Sequence, residues 1–345
     1  MAEPTIPNGE EQFNTVTYSG NGSSPRSITG VEHQPDLIWI KDRVTNATNV
    51  LVDSSRGAGS LLYSNSTVAA VTGATQVSSF NTDGFTLGAT TYVNENSSSN
   101  TYVAWNWKIN GGTTVANSVG AIASTVQANQ TAGFSIFEYT GSGGAASIGH
   151  GLSSAPEAIW IKDKGNSTNW RCWHTGFGNI TTYQVLNSDD GYRSASMWGS
   201  PTSSAIIVGG TGYEVNESGN NYIAYCWHSV DGFSKFGKFV GNNSADGTFV
   251  YLGFKPALVI VKGYTIGSSW VMMDNKRDLF NAGSELYLQA NSDAAEAGSI
   301  AVDFLSNGMK FRDNATGLNG AYTYVYYAWA EHPFVGDGIS PVTAR

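Results

Sequence analysis

The chain has few charged residues and no long apolar run, and each shortage excludes a class of partner. Charged residues make up only 13% of its 345 residues, the net charge is −9, and the Lys and Arg residues are scattered singly. A nucleic-acid partner would require a basic patch, so we expect none. No stretch approaches the roughly 20 consecutive apolar residues of a membrane-spanning helix, so we expect no membrane partner.

Cysteine is also scarce, and the scarcity bears on the compartment. The first residues, MAEPTIPNGEEQF, contain neither the basic start nor the apolar stretch of a secretory signal. We therefore expect the protein to be made in a cytosol, where Cys172 and Cys226, its two cysteines, would be free buried thiols. A disulfide between them is the alternative.

Helical periodicity is missing as well. We find no apolar i, i+3, i+4, i+7 pattern longer than about two turns. The chain is instead rich in Gly, with 41 residues, in aromatic residues, at 12%, and in Ser, Thr and Asn. Aromatic and β-branched side chains suit pleated surfaces, and Gly and Asn suit tight turns, so the composition predicts a β-rich protein.

One short segment occurs three times in similar form. PDLIWIKDR begins at Pro35, PEAIWIKDK at Pro156 and PALVIVKGY at Pro256, and an aromatic residue lies 17 residues before each proline. The segments TYVAWNW, NYIAYCW and TYVYYAW each end in a tryptophan that lies 66, 65 and 67 residues after the lysine of the corresponding copy. This agreement predicts a triplicated module of about 100 residues.

Alternating patterns and turn signals give six to seven short strands per module, which is typical of a β-sandwich. We therefore predict an all-β fold of three tandem β-sandwich-like modules. The expected order is an N-terminal arm (1–12), module 1 (13–108), an extended linker (109–132), module 2 (133–228), module 3 (229–334) and a C-terminal tail (335–345). Because only SVDG separates the last two repeats, we expect modules 2 and 3 to pack as a pair, with module 1 on a longer lead.

The strand after each repeated proline is apolar on both faces, which predicts a central strand buried between layers. It ends in Lys41, Lys162 or Lys262, whose amines we expect at the strand's exit to solvent. The tryptophans that the modules share are expected to lie in the core: Trp39, Trp107, Trp160, Trp227 and Trp329.

Motifs for catalysis or cofactor binding are not found in the sequence. There is no Gly-x-Ser-x-Gly, the glycines of GSGGAA fit a hairpin turn, and His and Cys lack zinc-ligand spacing. The acidic loops NSDDG and DNKRD fit solvated turns better than calcium loops, and nothing singles out a glycosidase pair of carboxylates. We expect no enzymatic activity, no metal and no cofactor.

Module 2 carries aromatic residues that the other modules lack, and these are the candidate binding residues. They lie in predicted loops, where exposed aromatic rings could contact a partner protein or a glycan, although local packing is the alternative. His174 belongs with them because modules 1 and 3 have Asp53 and Asp274 at its position, and its alternative is a polar group at a strand end. The full set is Trp170, Trp173, His174, Tyr192 and Trp198.

The motifs PDLIWIKDR, DGFTLG, NTYVAWNWK, NYIAYCWHSVDGFSKFGKFVGN and YAWAEHPF resemble a family of repeat-containing virion structural proteins, often tail-fibre-like, of marine tailed bacteriophages such as cyanophages. The resemblance covers nearly the whole chain. It implies a non-enzymatic virion protein assembled in the host bacterial cytoplasm, either a fibre or adhesin for host attachment or a capsid decoration. Its partners would be other virion proteins of the capsid or tail and further copies of itself. The alternative is a lectin-like module that recognises host surface glycans.

Overall fold

The computed structural model describes residues 8–330 apart from 89, 91, 96–98, 278–280, 282 and 284. Helical structure in this part of the chain is limited to two short 3₁₀ turns, Gly9–Glu11 and Thr175–Phe177. No helix there is long and apolar enough to cross a membrane. The remaining regular structure is antiparallel β-sheet, so the predicted all-β class is confirmed. The expected tail, 335–345, and residues 1–7 of the expected arm lie outside the described residues.

Module 1 contains a large and a small sheet. The large sheet has the strand order β1-β9-β3-β4-β5-β6, and the small sheet has the order β2-β8-β7. The nine strands are β1 Phe13–Ser19, β2 Arg26–Ile28, β3 Leu37–Asp42, β4 Val50–Asp53, β5 Ser60–Tyr63, β6 Val71–Thr72, β7 Val77–Asn81, β8 Gly84–Leu87 and β9 Thr101–Trp107.

The same two sheets recur in module 2. Its large sheet contains the order β12-β20-β14-β15-β16-β17, extended at one edge by β11 and β10, and its small sheet is β13-β19-β18. The strands are β10 Val115–Asn117, β11 Ser124–Asn129, β12 Phe134–Thr140, β13 Ala146–Gly149, β14 Ala158–Asp163, β15 Arg171–His174, β16 Thr182–Val185, β17 Arg193–Ser194, β18 Trp198–Gly199, β19 Ala205–Val208 and β20 Asn221–Trp227.

Module 3 repeats the arrangement once more, with a large sheet β21-β29-β23-β24-β25-β26 and a small sheet β22-β28-β27. Its strands are β21 Ser234–Val240, β22 Phe249–Tyr251, β23 Pro256–Gly263, β24 Val271–Asp274, β25 Glu285–Gln289, β26 Ala297–Ile300, β27 Val302–Leu305, β28 Gly308–Phe311 and β29 Thr323–Ala330.

Each small sheet covers one face of its large sheet, which makes a sandwich. In module 1, Ile38 and Val52 of the large sheet pack in one buried cluster with Phe85 and Leu87 of the small sheet. In module 3, Phe239 on β21 stacks on Phe311 of β28 with ring centroids 4.9 Å apart. The sandwich character predicted from the strand spacing is therefore present.

The opposite faces of the three large sheets meet in one shared core. Trp39 of module 1 contacts Trp160 of module 2 edge to face at 5.8 Å, and Trp160 contacts Tyr327 of module 3 at 5.6 Å. A second layer joins Trp107 to Trp329 at 5.4 Å. The expectation that module 1 stands apart from a packed pair is therefore wrong: a strand apolar on both faces needs cover on both, and each module supplies cover for the others.

This core confirms the burial predicted for the repeated elements. Every residue of β3, β14 and β23, the strands that follow the repeated prolines, is buried. The five shared tryptophans are buried as well.

Residues 109–132, expected to be an extended linker, instead include two strands. β11 pairs with β12 and turns Val126 into the core, and β10 pairs with β11. Between these two strands, residues 119–122 lie beside β13: the amides of Ala121 and Ile122 donate to the Ser147 carbonyl at 2.9 and 3.0 Å. The linker expectation is wrong because the segment's short apolar alternation is enough to cover sheet edges that would otherwise be open.

Candidate functional site

Four of the five candidate binding residues are buried. Trp170, Trp173, His174 and Trp198 lie inside the fold, so the expected exposed aromatic face of module 2 is wrong for these four. Only Tyr192 is exposed, at 48%, and it lies against Tyr264 of module 3 with ring centroids 5.0 Å apart. Trp173 lies on β15 and Trp198 on β18, so their predicted placement in loops is wrong as well. Trp170 and His174 bond to neighbouring modules, and such contacts are invisible to a pattern read within one repeat.

Trp170 forms a hydrogen bond between two modules. Its indole Nε1 donates to the backbone oxygen of Tyr63 in module 1 at 2.9 Å. At the equivalent place in module 3, the Trp270 Nε1 donates to the Val185 oxygen of module 2 at 3.0 Å. In module 1 the place is taken by Asn49, whose amide donates to module 3 backbone oxygens. Each module therefore bonds to the one before it, and module 1 bonds to module 3, so the contacts form a closed cycle.

His174 belongs to a second cycle that runs in the opposite direction. Its counterpart Asp53 in module 1 accepts a hydrogen bond from the Tyr225 hydroxyl of module 2 at 2.8 Å. Asp274 in module 3 accepts from the Trp105 indole of module 1 at 3.0 Å. His174 completes the cycle by bonding through Nε2 to the Tyr326 oxygen of module 3 at 3.2 Å. We call these three places the junction sites.

The two aspartate junction sites are internally neutralised. Asp53 receives the Arg56 side chain through Nε at 2.6 Å, and Asp274 receives the Arg277 Nε at 2.5 Å. Both carboxylates are buried, and a buried charge is tolerated only when it is paired and hydrogen-bonded. The Asp-x-x-Arg spacing thus supplies each of these two junction sites with its own counter-ion.

In module 2 the junction site is uncharged. Phe177 lies at the position equivalent to Arg56 and Arg277, and its ring stacks on Tyr264 of module 3 at 5.0 Å. A carboxylate at position 174 would therefore lack the arginine that serves as counter-ion in the other two modules. His174 accepts the Gly176 amide at Nδ1 at 2.8 Å, which leaves Nε2 to carry the proton that it donates to the Tyr326 oxygen. Burial lowers the pKa of His174 to about 3, so the ring is neutral at ordinary pH.

The strand-end lysines are also buried, so their expected exposure to solvent is wrong. Lys41 donates to the backbone oxygens of Ala47 and of Asp293 in module 3, both at 2.6 Å. Lys162 donates to the oxygen of Thr67 in module 1 at 3.1 Å. The Lys262 ammonium lies 5.7 Å from the Trp270 ring and donates to a nearby loop oxygen. Burial lowers the pKa of each lysine to about 8.

A polar groove remains at the surface between modules 1 and 2. Two adjoining depressions of about 340 and 450 Å³ share Glu138, Lys164 and Asn221, and the first two of these form an ion pair. This volume is within the range of small-ligand sites, and polar side chains and apolar atoms share the lining about equally. Further residues in the lining are Ser55, Arg56, Ser60, Thr72, Ser124, Thr125 and Thr140.

Other chemistry found along the described chain is limited. No group of three or more His, Cys, Asp or Glu residues is placed to hold a metal within the described residues. Cys172 and Cys226 are free and buried, and burial raises the pKa of both thiols. Protonated, enclosed thiols are poor nucleophiles, so neither forms a reactive site.

Comparison with known proteins assigns the chain to a family. A family model described as a domain of unknown function, DUF7483, matches residues 8–333. The chain belongs to this family. No curated protein matches it, and no solved structure matches it.

The junction sites predict a specific coupling between two positions. His174→Asp should place a buried carboxylate beside Phe177 without a counter-ion and lower the free energy of unfolding by about 3 kcal/mol or more. Adding Phe177→Arg restores the pair found in modules 1 and 3. We expect the double variant to be at least about 1 kcal/mol more stable than His174→Asp alone, as measured by denaturant unfolding.

Phe177→Arg alone is the matched control, and it should also destabilise because its guanidinium has no acid beside it. Strictly additive effects of the two substitutions would contradict the equivalence of the three junction sites.

His174 also predicts a pH dependence of stability. The unfolded chain protonates this histidine below pH 6.5, while the folded chain keeps it neutral until about pH 3. The unfolded state therefore binds more protons in this window, and stability falls as the pH decreases through it. From pH 6.5 to 4.5 the native protein should lose about 2 kcal/mol more than His174→Gln, which keeps one donor and one acceptor. Equal losses in denaturant titrations at the two pH values would rule out a neutral buried histidine.

Proposed function

We propose that this DUF7483 protein is a non-enzymatic structural protein of a tailed-bacteriophage virion, either a fibre or adhesin for host attachment or a capsid-attached decoration. The observation that carries the proposal is the closed cycle of junction sites. It makes three sandwiches into one unit, and such a unit suits a particle component that must hold its shape outside the cell. The sequence motifs that resemble phage virion proteins support the same role.

The placement of the reactive side chains fits this role. The buried histidine His174 and the repeat-shared lysines donate to backbone oxygens of adjacent modules or loops. These groups hold modules or loops in place, and they are buried away from solvent. In the proposed role the surface contributes binding, through several copies per particle that each add weak contacts by effective concentration.

The proposed partners are other virion proteins of the capsid or tail, together with further copies of the chain. Exposed edge strands of the small sheets are natural assembly points because they carry unpaired backbone groups. The proposed setting is the virion, assembled in the cytoplasm of a bacterial host.

The test is association with particles. Particles of the phage that encodes this chain are purified on a density gradient, treated with nuclease and washed with high salt. They are then probed with an antibody against the full chain and imaged by cryo-EM. We expect the protein to band with the particles at a fixed copy number, with density of three sandwiches on the capsid or on the tail.

A protein that stays at the top of the gradient while the major capsid protein bands normally would contradict a virion role. Density on the capsid lattice would select the decoration form of the proposal, and density at the tail tip would select the adhesin form.

The polar groove between modules 1 and 2 favours a second candidate, a lectin-like protein that binds host surface glycans. Its hydroxyl and amide side chains, with Glu138 and Lys164 at the centre, could hydrogen-bond to sugar hydroxyls. Saturable binding on a glycan array that is lost in Glu138→Gln, but kept in Glu32→Gln at an exposed position, would favour this candidate.

A further inference from the structure

The three small sheets have equivalent outer strands, β2, β13 and β22. Ile28, Ile148 and Val250 occupy the same register position, opposite Phe85, Ile206 and Met309, and all three point into their sandwiches. The positions on either side lie on the opposite face of the strand. They are Ser27 and Thr29 in module 1, Ser147 and Gly149 in module 2, and Phe249 and Tyr251 in module 3.

In module 2 this edge is already occupied by the chain itself. Residues 119–122 run beside β13, where Ile122 bridges to Ile148, and the Gly149 amide donates to the Val119 oxygen at 2.8 Å. The contact is close: a side chain at Gly120 would come within 2.6 Å of the Ser147 oxygen. A segment that adds to an edge of this type therefore requires small residues where it approaches the strand.

In module 3 the equivalent strand, β22, pairs only with β28 among the described strands, so its other edge is open there. The Thr248 oxygen accepts from the Phe311 amide at 3.0 Å, and the Leu252 amide donates to the Asn307 oxygen at 2.9 Å, so even-numbered residues face β28. By the alternation of antiparallel pairing, the backbone groups of Phe249 and Tyr251 face away from the sheet. Within the described part of the chain, their one hydrogen bond is that of the Tyr251 oxygen, which accepts from the ammonium of the half-buried Lys235 at 3.0 Å.

The side chains of this edge are also specific to module 3. Phe249 is 43% exposed and Tyr251 is 61% exposed, in places where the other modules have Ser, Thr or Gly. The two rings lie two residues apart on one face of the strand. Val240, at the end of the neighbouring β21, is 63% exposed and adds to the apolar surface of this module. A residue that only one copy of a repeat carries is free of the constraint that the shared fold imposes.

We infer that β22 is the docking edge for an extended segment of a partner protein. The segment adds as a further strand, bonds to the outward backbone groups of Phe249 and Tyr251, and lays an apolar side chain against their rings. This is strand addition, in which the main chain gives affinity and alternate side chains give specificity. The inference goes beyond the proposed function, because it concerns one strand and holds for a partner inside or outside a virion.

A second copy of the chain fits this edge less well than a partner segment. Pairing of β22 with itself about a two-fold axis would bring the Lys235 side chains of both copies to one short edge, and like charges placed together oppose association. A neutral or acidic segment meets no such repulsion. The occupant we assign is therefore a partner segment with small residues near the strand and an apolar residue at every second position.

The test uses a displayed library of random dodecapeptides, selected on the immobilised full chain. Selected peptides are then measured against a matched pair of variants. Phe249→Ala removes the ring, and Phe249→Pro removes the ring and also the outward amide, while the ladder to β28 is kept because proline is tolerated at such edge positions. We expect peptides that bind the native chain and bind Phe249→Pro at least about tenfold more weakly than Phe249→Ala, a factor that corresponds to about 1.4 kcal/mol.

Two further variants keep the test decisive. Ser27→Pro, at the equivalent place in module 1, should leave binding unchanged. The double variant Phe249→Ser/Tyr251→Thr installs the module 1 side chains on the same backbone, and it should lose at least about tenfold in affinity even if Phe249→Pro fails to fold.

Four outcomes would overturn the inference. Peptides that bind the Ala and Pro variants equally, or a library that yields no binder, would exclude strand addition by a partner. A concentration-dependent dimer in analytical ultracentrifugation that Phe249→Pro dissociates would assign the edge to a second copy. Glycan binding lost equally in Phe249→Ala and Phe249→Pro would assign the rings to sugar stacking.

Discussion

The constraint on which the structure depends is that each large sheet is apolar on both faces and carries only one small sheet of its own. A small sheet covers one face, as Phe85 and Leu87 do in module 1, and the other face would remain in water. Three such faces turned towards each other bury Trp39, Trp160 and Tyr327 in one cluster. The hydrophobic free energy of this burial is what holds the modules together, and the junction sites fix the geometry in which they meet.

The sequence alone predicts the module but not its closure. The three prolines, the apolar runs and the shared tryptophans give the strands, their order of appearance and the core residues, because these depend on patterns within one repeat. The burial of Lys41, Lys162 and Lys262 could not be predicted, because a lysine after an apolar strand ordinarily reaches water, and here a loop or an aromatic ring covers it. The burial of Trp170 could not be predicted for the same reason, because its hydrogen-bond partner lies in module 1.

Two signals in the sequence could have indicated the closure. Arg56 and Arg277 follow their aspartates by three residues, and in module 2 both members of the pair change together, to His174 and Phe177. A joint change at two positions of a repeat indicates contact between them. The second signal is the alternation of Val126 with polar neighbours in residues 124–129, which fits a β-strand better than a linker.

The differences among the three modules also have a consequence for function. In a ring of identical subunits every edge would be filled or every edge would be open, whereas one chain can treat its edges differently. Here residues 119–122 close the edge of β13, and β22 keeps an open edge with two exposed aromatic rings. Fusion of three repeats in one chain therefore permits one module to carry edge side chains that the other two lack, and the proposed docking of a partner segment uses this difference.

The central claim is that the three modules form one cooperative unit, and native-state hydrogen exchange at increasing denaturant tests it most directly. Amides of β3, β14 and β23 lie in different modules and report on each separately. The account predicts that all three lose protection at the same denaturant concentration, with the free energy of global unfolding. Loss of protection in β3 at a lower concentration, while β14 and β23 remain protected, would contradict it.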